Sequence, residues 1–148
     1  MSPSPQEPWT ATAARVLGRA PEVARALRHH VAGPDHLLLA LLQEGGARGR
    51  RALETLGTEP GKASAAVREY LRPGEDPPAR TPPFSPLARR ALAQAAARAA
   101  EEGRRADTGD LLLVLLAAEG SPLVRALAGL GCSREGILGA LAAVEKET

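Results

Sequence analysis

Two short segments of the chain are apolar at nearly every position. They are residues 36–42 (HLLLALL) and residues 110–116 (DLLLVLL). A helix that is hydrophobic around its whole circumference is buried on most of its faces rather than lying on the surface. We therefore predict two buried helices, at 34–44 and 108–118, each of which forms the centre of its own group of helices.

The two apolar segments belong to a tandem repeat. Self-similar segments at a fixed offset indicate duplicated structural units. The matched pairs are residues 9–17 (WTATAARVL) with 84–92 (FSPLARRAL), 34–46 with 108–120, and 52–57 (ALETLG) with 126–131 (ALAGLG). The offset is 75 for the first pair and 74 for the other two, so the second copy has lost one residue in its first helix or in the turn after it.

A proline-rich segment separates the two copies. Residues 72–83 (RPGEDPPARTPP) cannot continue a helix, because proline lacks a backbone donor and holds the chain extended. We therefore predict a flexible tail at 1–8, a first repeat at 9–71, a linker at 72–83 and a second repeat at 84–146.

Capping signals divide each copy into four helices. The predicted N-cap residues are Thr10, Ser85 followed by Pro86, Asp107 or Thr108, and Ser121 followed by Pro122. Gly57 and Gly131 supply left-handed stops, and Pro21 should kink the first helix or divide it after Ala20. The predicted helices are 10–29, 34–44, 47–56, 59–71, 86–103, 108–118, 122–130 and 134–146.

Composition favours an all-α fold. Hydrophobic residues make up 44% of the chain but aromatic residues only 2%, so the core must consist of Leu, Ala and Val, which favour helix over sheet as a group. Together with the repeat, this predicts one pseudo-two-fold domain of eight helices. No apolar run reaches the roughly 20 residues that a bilayer requires, and the start of the chain lacks the regions of a signal peptide. We therefore expect a monomer in the cytoplasm that does not associate with a membrane.

Charges are spread along the chain rather than clustered. The 19 Lys and Arg residues are nearly balanced by 17 Asp and Glu residues, which is typical of a solvated, ion-paired surface. A nucleic-acid binder that uses the basic tract at 46–51 with Arg89, Arg90, Arg104 and Arg105 is the minor alternative, because aromatic residues that could stack on bases are lacking. Cys132 lies in an apolar setting, which is typical of a buried and inert thiol.

The sequence lacks a recognisable catalytic or metal-binding constellation. His29, His30 and His36 with Asp35 form the one cluster that suggests a metal or a catalytic base, but zinc needs three or four converging ligands with supporting groups. We favour the interpretation that His29 and His36 pack against the buried helix with hydrogen-bonded edges, and that His30 is solvated. The phosphate-binding loop G-x-x-x-x-G-K-[ST] is missing as well. We predict no enzymatic activity, no cofactor and no metal.

The duplicated unit resembles a known family. An aromatic residue followed by Thr or Ser, an A-x-R-V-L helix, the box GPDHLLLALL and the box ALETLG together resemble the Clp repeat domain. That domain stands at the N-terminus of the AAA+ unfoldases ClpA, ClpB and ClpC. The resemblance covers residues 9–144, and it implies a helical module that receives substrates or adaptors.

The resemblance also implies candidate site residues. ClpC-type members resemble readers of phosphorylated arginine, using a carboxylate in a G-T-E-H box of each repeat. In the first box Asp35 takes the glutamate place, followed by His36. In the second box, Asp107-Thr108-Gly109-Asp110, Gly109 takes the glutamate place and Asp110 that of the histidine. The peptide-binding candidates are Asp35, His36, Thr108 and Asp110, and the first copy is expected to dominate.

A second family surface implies three hydrophobic ligand-binding candidates, Trp9, Phe84 and Arg89. For Trp9 and Phe84 the alternative is a hydrophobic staple at a helix entrance.

The leading hypothesis is a stand-alone, non-enzymatic module of Clp-type protein quality control. Its partners would be protein or peptide segments such as degrons, adaptors or components of a Clp unfoldase. Three alternatives stay open at this point. They are a decoy or immunity-like protein that sequesters cyclic-peptide or other small ligands, an excised N-terminal domain of a full-length unfoldase, and the arginine-rich nucleic-acid binder.

Overall fold

The structure, a computed structural model, describes residues 8–117 and 122–148. Within these ranges the chain forms eight α-helices. They are α1 (Ala11–Ala26), α2 (Pro34–Gln43), α3 (Arg48–Thr55), α4 (Pro60–Arg68), α5 (Pro86–Glu101), α6 (Thr108–Leu115), α7 (Pro122–Ala128) and α8 (Arg134–Ala143). The all-α prediction and the order of the helices are confirmed. The predicted cap at Ser121 and nearly all of the predicted tail at 1–8 lie outside the described residues.

The predicted caps begin the helices where the sequence placed them. The Thr10 hydroxyl accepts a hydrogen bond from the Ala13 backbone N–H at 3.1 Å and so caps α1. Ser85 caps α5 in the same way, through the Ala88 N–H at 3.0 Å. Of the two candidates at α6, Asp107 is the cap. Short polar side chains capture N–H groups that the first helical turn leaves without partners.

The helices also end as their glycines predict. Gly57 and Gly131 take left-handed φ angles of 83° and 85° after α3 and α7, which confirms both predicted stops. Helix α5 ends likewise at Gly103. In helix α1 the equivalent left-handed position is occupied by Arg28, at a φ of 60°. The helix therefore ends before residue 29.

The left-handed Arg28 predicts a stabilising substitution. Arg28→Gly relieves the steric cost that a Cβ pays at positive φ, and its counterpart in the second repeat is already Gly103. We expect the free energy of unfolding to rise by about 0.5–1 kcal/mol. Urea denaturation measures this change, with Arg25→Gly inside α1 as the control that should be destabilised instead.

Pro21 does not divide the first helix. Helix α1 continues from Ala11 to Ala26 with Pro21 inside it, so the predicted break after Ala20 is wrong. The flanking residues Ala20, Val23 and Ala24 are buried, and their packing offsets the backbone hydrogen bond that proline cannot make.

Helices α2 and α6 are the buried centres of the two halves, as predicted. Leu37 through Leu42 of α2 are at most 2% exposed, and Leu111 and Leu112 of α6 are fully buried. Their side chains join those of the surrounding helices in one hydrophobic cluster that spans both halves. The halves therefore share a core. None of the helices within the described residues is long and apolar enough to cross a membrane.

The entrance of each half pairs with the other half. The Thr10 N–H donates to the Ala106 carbonyl at 2.9 Å, just before α6, and Ala106 donates to the Pro8 carbonyl at 2.7 Å. In the pseudo-symmetric position, Ser85 donates to the carbonyl of Ala32, just before α2, at 2.9 Å. Each buried helix therefore begins beside the first residues of the opposite repeat.

The linker is bound to the end of α1. The Gly74 N–H donates to the Leu27 carbonyl at 2.9 Å, and the Arg28 side chain donates to the Glu75 carbonyl at 3.3 Å. Pro78 and Pro82 are buried. The proline-rich segment is non-helical, as predicted, but it follows a fixed path across the surface.

The pseudo-two-fold symmetry is broken at the third helix of each half. Helix α3 packs closely against the start of α6, whereas among the described residues α7 and α2 make no comparable contact. The space that α3 fills on one side is therefore open on the other. This open space is the candidate site.

Candidate functional site

A groove with a volume of about 470 Å³ lies where α7 fails to close against α2. Its wall is apolar and comes from three helices of the second half. The wall residues are Leu87, Ala91, Val114, Leu115 and Leu123. Leu87 is 59% exposed, which is unusual for a large apolar side chain on a helix that also contributes to the core. The groove therefore offers a preformed apolar surface.

Two opposite charges lie on the rim of the groove. Asp35, at the second position of α2, is half-buried, and Arg90 of α5 is exposed. Neither side chain has a hydrogen bond or an ion pair with the described residues of the chain. Burial raises the pKa of Asp35, and the nearby His29 opposes that effect. A carboxylate with free acceptor positions is thus available to a ligand.

Within the described residues, the start of α2 also leaves one backbone donor free, the N–H of Asp35. Its N-cap is Gly33, which has no side chain to accept hydrogen bonds from the first turn. Pro34 fits the first helical position because its missing N–H would have no partner there. The Asp35 N–H, together with the helix dipole, favours a negatively charged group at this end, whereas the next two amides, of His36 and Leu37, already donate to the Gly33 carbonyl at 3.1 and 3.2 Å.

His36 fixes the geometry of this helix start. It is 5% exposed, and its Nδ1 accepts a hydrogen bond from the Gly33 N–H at 2.9 Å. In the neutral ring its Nε2 must then carry the proton, which it donates to Nδ1 of His29 at 2.7 Å. Nε2 of His29 in turn donates to the Arg72 carbonyl at 2.6 Å. Both ring nitrogens of His36 are engaged, so it orients the site from within. As predicted, His29 and His36 have hydrogen-bonded edges. His30 is exposed, but it is not only solvated, because its Nε2 donates to the Asp76 carbonyl at 3.0 Å.

This histidine chain predicts a loss of stability in mild acid. Burial, and then the charge of His29, lower the pKa of His36 from 6.5 to about 4. The unfolded chain therefore binds a proton at a pH where the folded chain does not, and the stability is present above pH 6.5 and lost as the pH falls toward 4. We expect about 2 kcal/mol to be lost between pH 7.5 and 5. Urea denaturation at both pH values measures it; His36→Gln should remove most of the difference between them, and an unchanged difference would contradict the assignment.

The second box is already occupied by side chains of the protein. Both oxygens of Asp110 are paired with Arg104, at 2.6 and 2.7 Å. Burial is the largest single effect and opposes ionisation of Asp110, but the hydrogen bonds from Arg104 and from the Asp107 N–H, together with the charge of Arg104, lower the pKa of Asp110. Thr108 is fully buried, and its hydroxyl donates to Glu147. Thr108 and Asp110 are therefore engaged, in contrast to Asp35.

Steric contact explains why residue 109 is a glycine. The guanidinium of Arg48 lies against it, so that a Cβ at residue 109 would be 2.8 Å from Nη1 of Arg48 and 3.0 Å from Leu141. Arg48 is 6% exposed and pairs with the buried Asp107 at 3.2 Å. The place of the family glutamate is thus filled by an arginine from the first half. The second box cannot present a carboxylate there.

The three hydrophobic candidates lie outside the groove. Trp9 and Phe84 are half-buried against the core, each at the entrance of its own repeat. Arg89 is exposed, and its Nη1 donates to the Phe84 carbonyl at 3.4 Å. The structure brings Phe84 and Arg89 together and leaves Trp9 beside Ala106 in the other half. Their role in ligand binding stays a prediction.

Sequence reasoning missed Leu87, and it named Arg90 only for the nucleic-acid alternative. Both lie on the face of α5 that borders the groove, and Leu87 directly follows the proline of the first turn. The available signal was that Leu87 is a large apolar residue outside the buried positions of α5. Among the described residues, there is no group of three or more His, Cys, Asp or Glu side chains that could hold a metal ion.

Comparisons with known proteins identify the sequence relatives. The model of the Clp repeat (R) N-terminal domain matches residues 9–142. Over 60 residues the chain is 45% identical to the chloroplastic chaperone protein ClpC1 of Oryza sativa subsp. japonica, and over 53 residues it is 49% identical to the chloroplastic chaperone protein ClpC of Pisum sativum. These matches cover 40% and 36% of the chain and 6% of each relative, so the chain spans a small part of the curated proteins it matches.

Solved structures share the fold at lower identity. The N-domain of ClpV from Vibrio cholerae matches with a TM-score of 0.76 and 20% identity, covering 95% of this chain and 88% of that one. The Hsp104 N-terminal domain from Candida albicans matches with a TM-score of 0.74 and 20% identity, covering 90% and 88%. A complex of the ClpV N-domain with a VipB peptide matches with a TM-score of 0.73 and 20% identity, covering 95% and 90%.

Proposed function

Because the chain belongs to the Clp repeat N-terminal domain family, we propose that it is a non-enzymatic recognition module of Clp-type protein quality control. It binds peptide segments of substrates or adaptors in the groove at the start of α2. The observation that carries this proposal is the apolar groove itself, with a carboxylate and a guanidinium on its rim that have no partner in the part of the chain that the structure describes. Pockets of this composition are typical of ligand-binding sites.

The structural relatives support a peptide as the ligand. The ClpV N-domain, which shares this fold, has been solved in complex with a VipB peptide. A segment of a few residues fits the volume of about 470 Å³ and has both apolar and polar groups to match the wall and the rim.

The rim chemistry favours a peptide that carries arginine. A carboxylate accepts two parallel hydrogen bonds from a guanidinium, which suits Asp35. The Asp35 N–H and the dipole at the start of α2 suit an anionic group next to that guanidinium. Phosphorylated arginine combines the two groups, and Leu87 with Leu123 would cover the aliphatic part of the side chain. Binding at the first repeat alone is expected, since Arg48 and Glu147 already occupy the second.

A titration tests this proposal. One short peptide is prepared with phosphoarginine, with arginine and with citrulline at the same position, and binding is measured by calorimetry. We expect the order phosphoarginine, arginine, citrulline, with Asp35→Asn weakening the binding of the first two by about tenfold. Asp76→Asn, at an exposed aspartate of the linker, is the matched control and should leave binding unchanged.

A second variant tests the apolar wall. Leu87→Asp places a charge in the middle of the groove without disturbing the core, because Leu87 is 59% exposed. We expect binding of all three peptides to be lost, since desolvation of the new carboxylate opposes insertion of an apolar stem. Binding that survives both Asp35→Asn and Leu87→Asp would place the site elsewhere and refute the proposal.

A further inference from the structure

The end of the chain fills a polar pocket between the starts of α1, α3 and α6. The Glu147 carboxylate lies in this pocket. One oxygen accepts hydrogen bonds from the Thr10 hydroxyl at 2.6 Å and from the Thr108 N–H at 3.2 Å. The other accepts from the Arg48 N–H at 2.8 Å and from the Thr108 hydroxyl. Four donors from three helix starts therefore converge on one carboxylate.

Contacts other than those of Glu147 also hold the donors of the pocket. Thr10 and Thr108 are at most 1% exposed, and the Gly49 N–H donates to the Thr108 hydroxyl oxygen at 3.0 Å. Because that oxygen accepts from Gly49, its own proton is directed at the carboxylate. Two further donors are the first amides of α3 and α6, and the dipoles of both helices favour an anion. The neighbouring groups of the fold hold the donors in place.

The pocket recognises backbone as well as side chain. The Glu147 N–H donates to the Asp107 carboxylate at 3.3 Å, and Nε of Arg48 donates to the Val144 carbonyl at 3.4 Å. The pocket thus contacts residues 144–147 at two backbone groups and at the Glu147 carboxylate. Asp107 and Asp110 lie close by, and their charges disfavour a ligand that carries two negative charges at one point.

Residues 144–146 of the same segment also line a second cavity. A polar groove of about 710 Å³ lies at the start of α6, between Arg104 and Asp110 on one side and residues 144–146 on the other. The Glu147 contacts hold that wall in position. If Glu147 leaves its pocket, the wall is released and the guanidinium of Arg48 loses its partner at Val144.

We propose that the pocket formed by Thr10, Arg48 and Thr108 is a receptor for an acidic peptide segment, and that residues 144–148 are a latch that occupies it in cis. An acidic segment of a partner protein binds there only when the latch has left. This site is distinct from the groove at α2 and does not depend on what that groove binds.

The test supplies the latch in trans. The probe is an acetylated peptide of residues 143–148 (AVEKET), with a matched peptide that has Gln at the second glutamate. The proteins are the full chain, Glu147→Gln, and Glu145→Gln at an exposed residue as the control. The readouts are the Tm and the fluorescence of Trp9, the single tryptophan, which adjoins Thr10.

We expect Glu147→Gln to lower the Tm by about 5 °C and Glu145→Gln to leave it unchanged. Millimolar acidic peptide should restore most of the lost Tm and change the Trp9 fluorescence of the variant, whereas the full chain should bind it at least about tenfold more weakly. The Gln peptide should have no effect.

Three results would overturn the proposal. They are a Tm of Glu147→Gln equal to that of the full chain, equal binding by the two proteins, and equal action by the two peptides. Hydrogen exchange of the Arg48 and Thr108 amides gives an independent measurement. Both amides should exchange about tenfold faster in Glu147→Gln than in the full chain, and equal rates would contradict the docked latch.

Discussion

We expect the replacement of Arg48 with methionine to lower the free energy of unfolding by about 3–5 kcal/mol, the cost of removing one partner of a buried ion pair. The Arg48 side chain is 7% exposed, and its Nη1 lies 3.2 Å from both oxygens of Asp107, whose side chain is fully buried. It also donates to the Leu141 carbonyl at 2.8 Å. Methionine fills a similar volume but leaves the carboxylate and the carbonyl without their donor.

The control for this prediction lies on the same helix. Arg51 of α3 is exposed, so Arg51→Met should change the free energy of unfolding by less than about 0.5 kcal/mol. In the double variant Arg48→Met with Asp107→Asn, the uncompensated charge is removed and the N-cap of α6 is kept. Urea denaturation should recover part of the loss in the double variant. Equal destabilisation by Arg48→Met and Arg51→Met would contradict the role assigned to the pair.

We expect the replacement of Gly74 with alanine to lower the free energy of unfolding by about 3 kcal/mol, at the upper end of the usual cost of overpacking. A Cβ at residue 74 would lie 2.0 Å from the carbonyl oxygen of Arg28. That oxygen is backbone, so no side-chain rotation relieves the clash. The linker must move away from α1, and the hydrogen bond from the Gly74 N–H to the Leu27 carbonyl is lost with it.

The matched control is a second glycine with open space around it. Gly61 lies in the first turn of α4, and a Cβ there meets nothing within 4 Å. Gly61→Ala should therefore raise the free energy of unfolding by about 0.5–1 kcal/mol, because alanine has the better helix propensity. Thermal and urea denaturation compare the two variants. A Gly74→Ala protein as stable as Gly61→Ala would mean that the linker does not follow this path.

The features that sequence alone predicted are those that depend on near neighbours. N-caps such as Thr10 and Ser85 act over three residues, and a left-handed stop such as Gly57 acts over one turn. The burial of α2 and α6 follows from their uninterrupted apolar residues. The sequence repeat predicted the pseudo-symmetric arrangement of the helices, because two copies of one unit bury equivalent faces.

The features that sequence could not predict depend on residues far apart in the chain. Arg48 meets Asp107 across 59 positions, and Glu147 meets Thr10 across 137. Neither pairing leaves a local pattern, because an arginine on a short helix and a glutamate near a chain end are both typical of solvated surface. These two contacts nevertheless make the two repeats unequal.

The same limit explains why Arg89 was singled out although Arg90 lines the groove. One residue along an α-helix turns the side chain by about 100°, so the choice between adjacent arginines depends on the rotation of α5 against α6. The core fixes that rotation through Ala88, Ala95 and Ala99, which are small and buried. A pattern of alanines marks the buried face only weakly, because alanine is common on both faces of a helix.

The central claim is that the groove at the start of α2 binds peptides, and chemical-shift mapping tests it most directly. A ¹⁵N-labelled chain is titrated with the phosphoarginine peptide while the backbone amides are followed. We predict saturable shifts that centre on Asp35, Arg90 and Leu123, with Arg104 and Asp110 unchanged. Shifts that centre on Arg104 and Asp110, or no saturable shifts at all, would contradict this account.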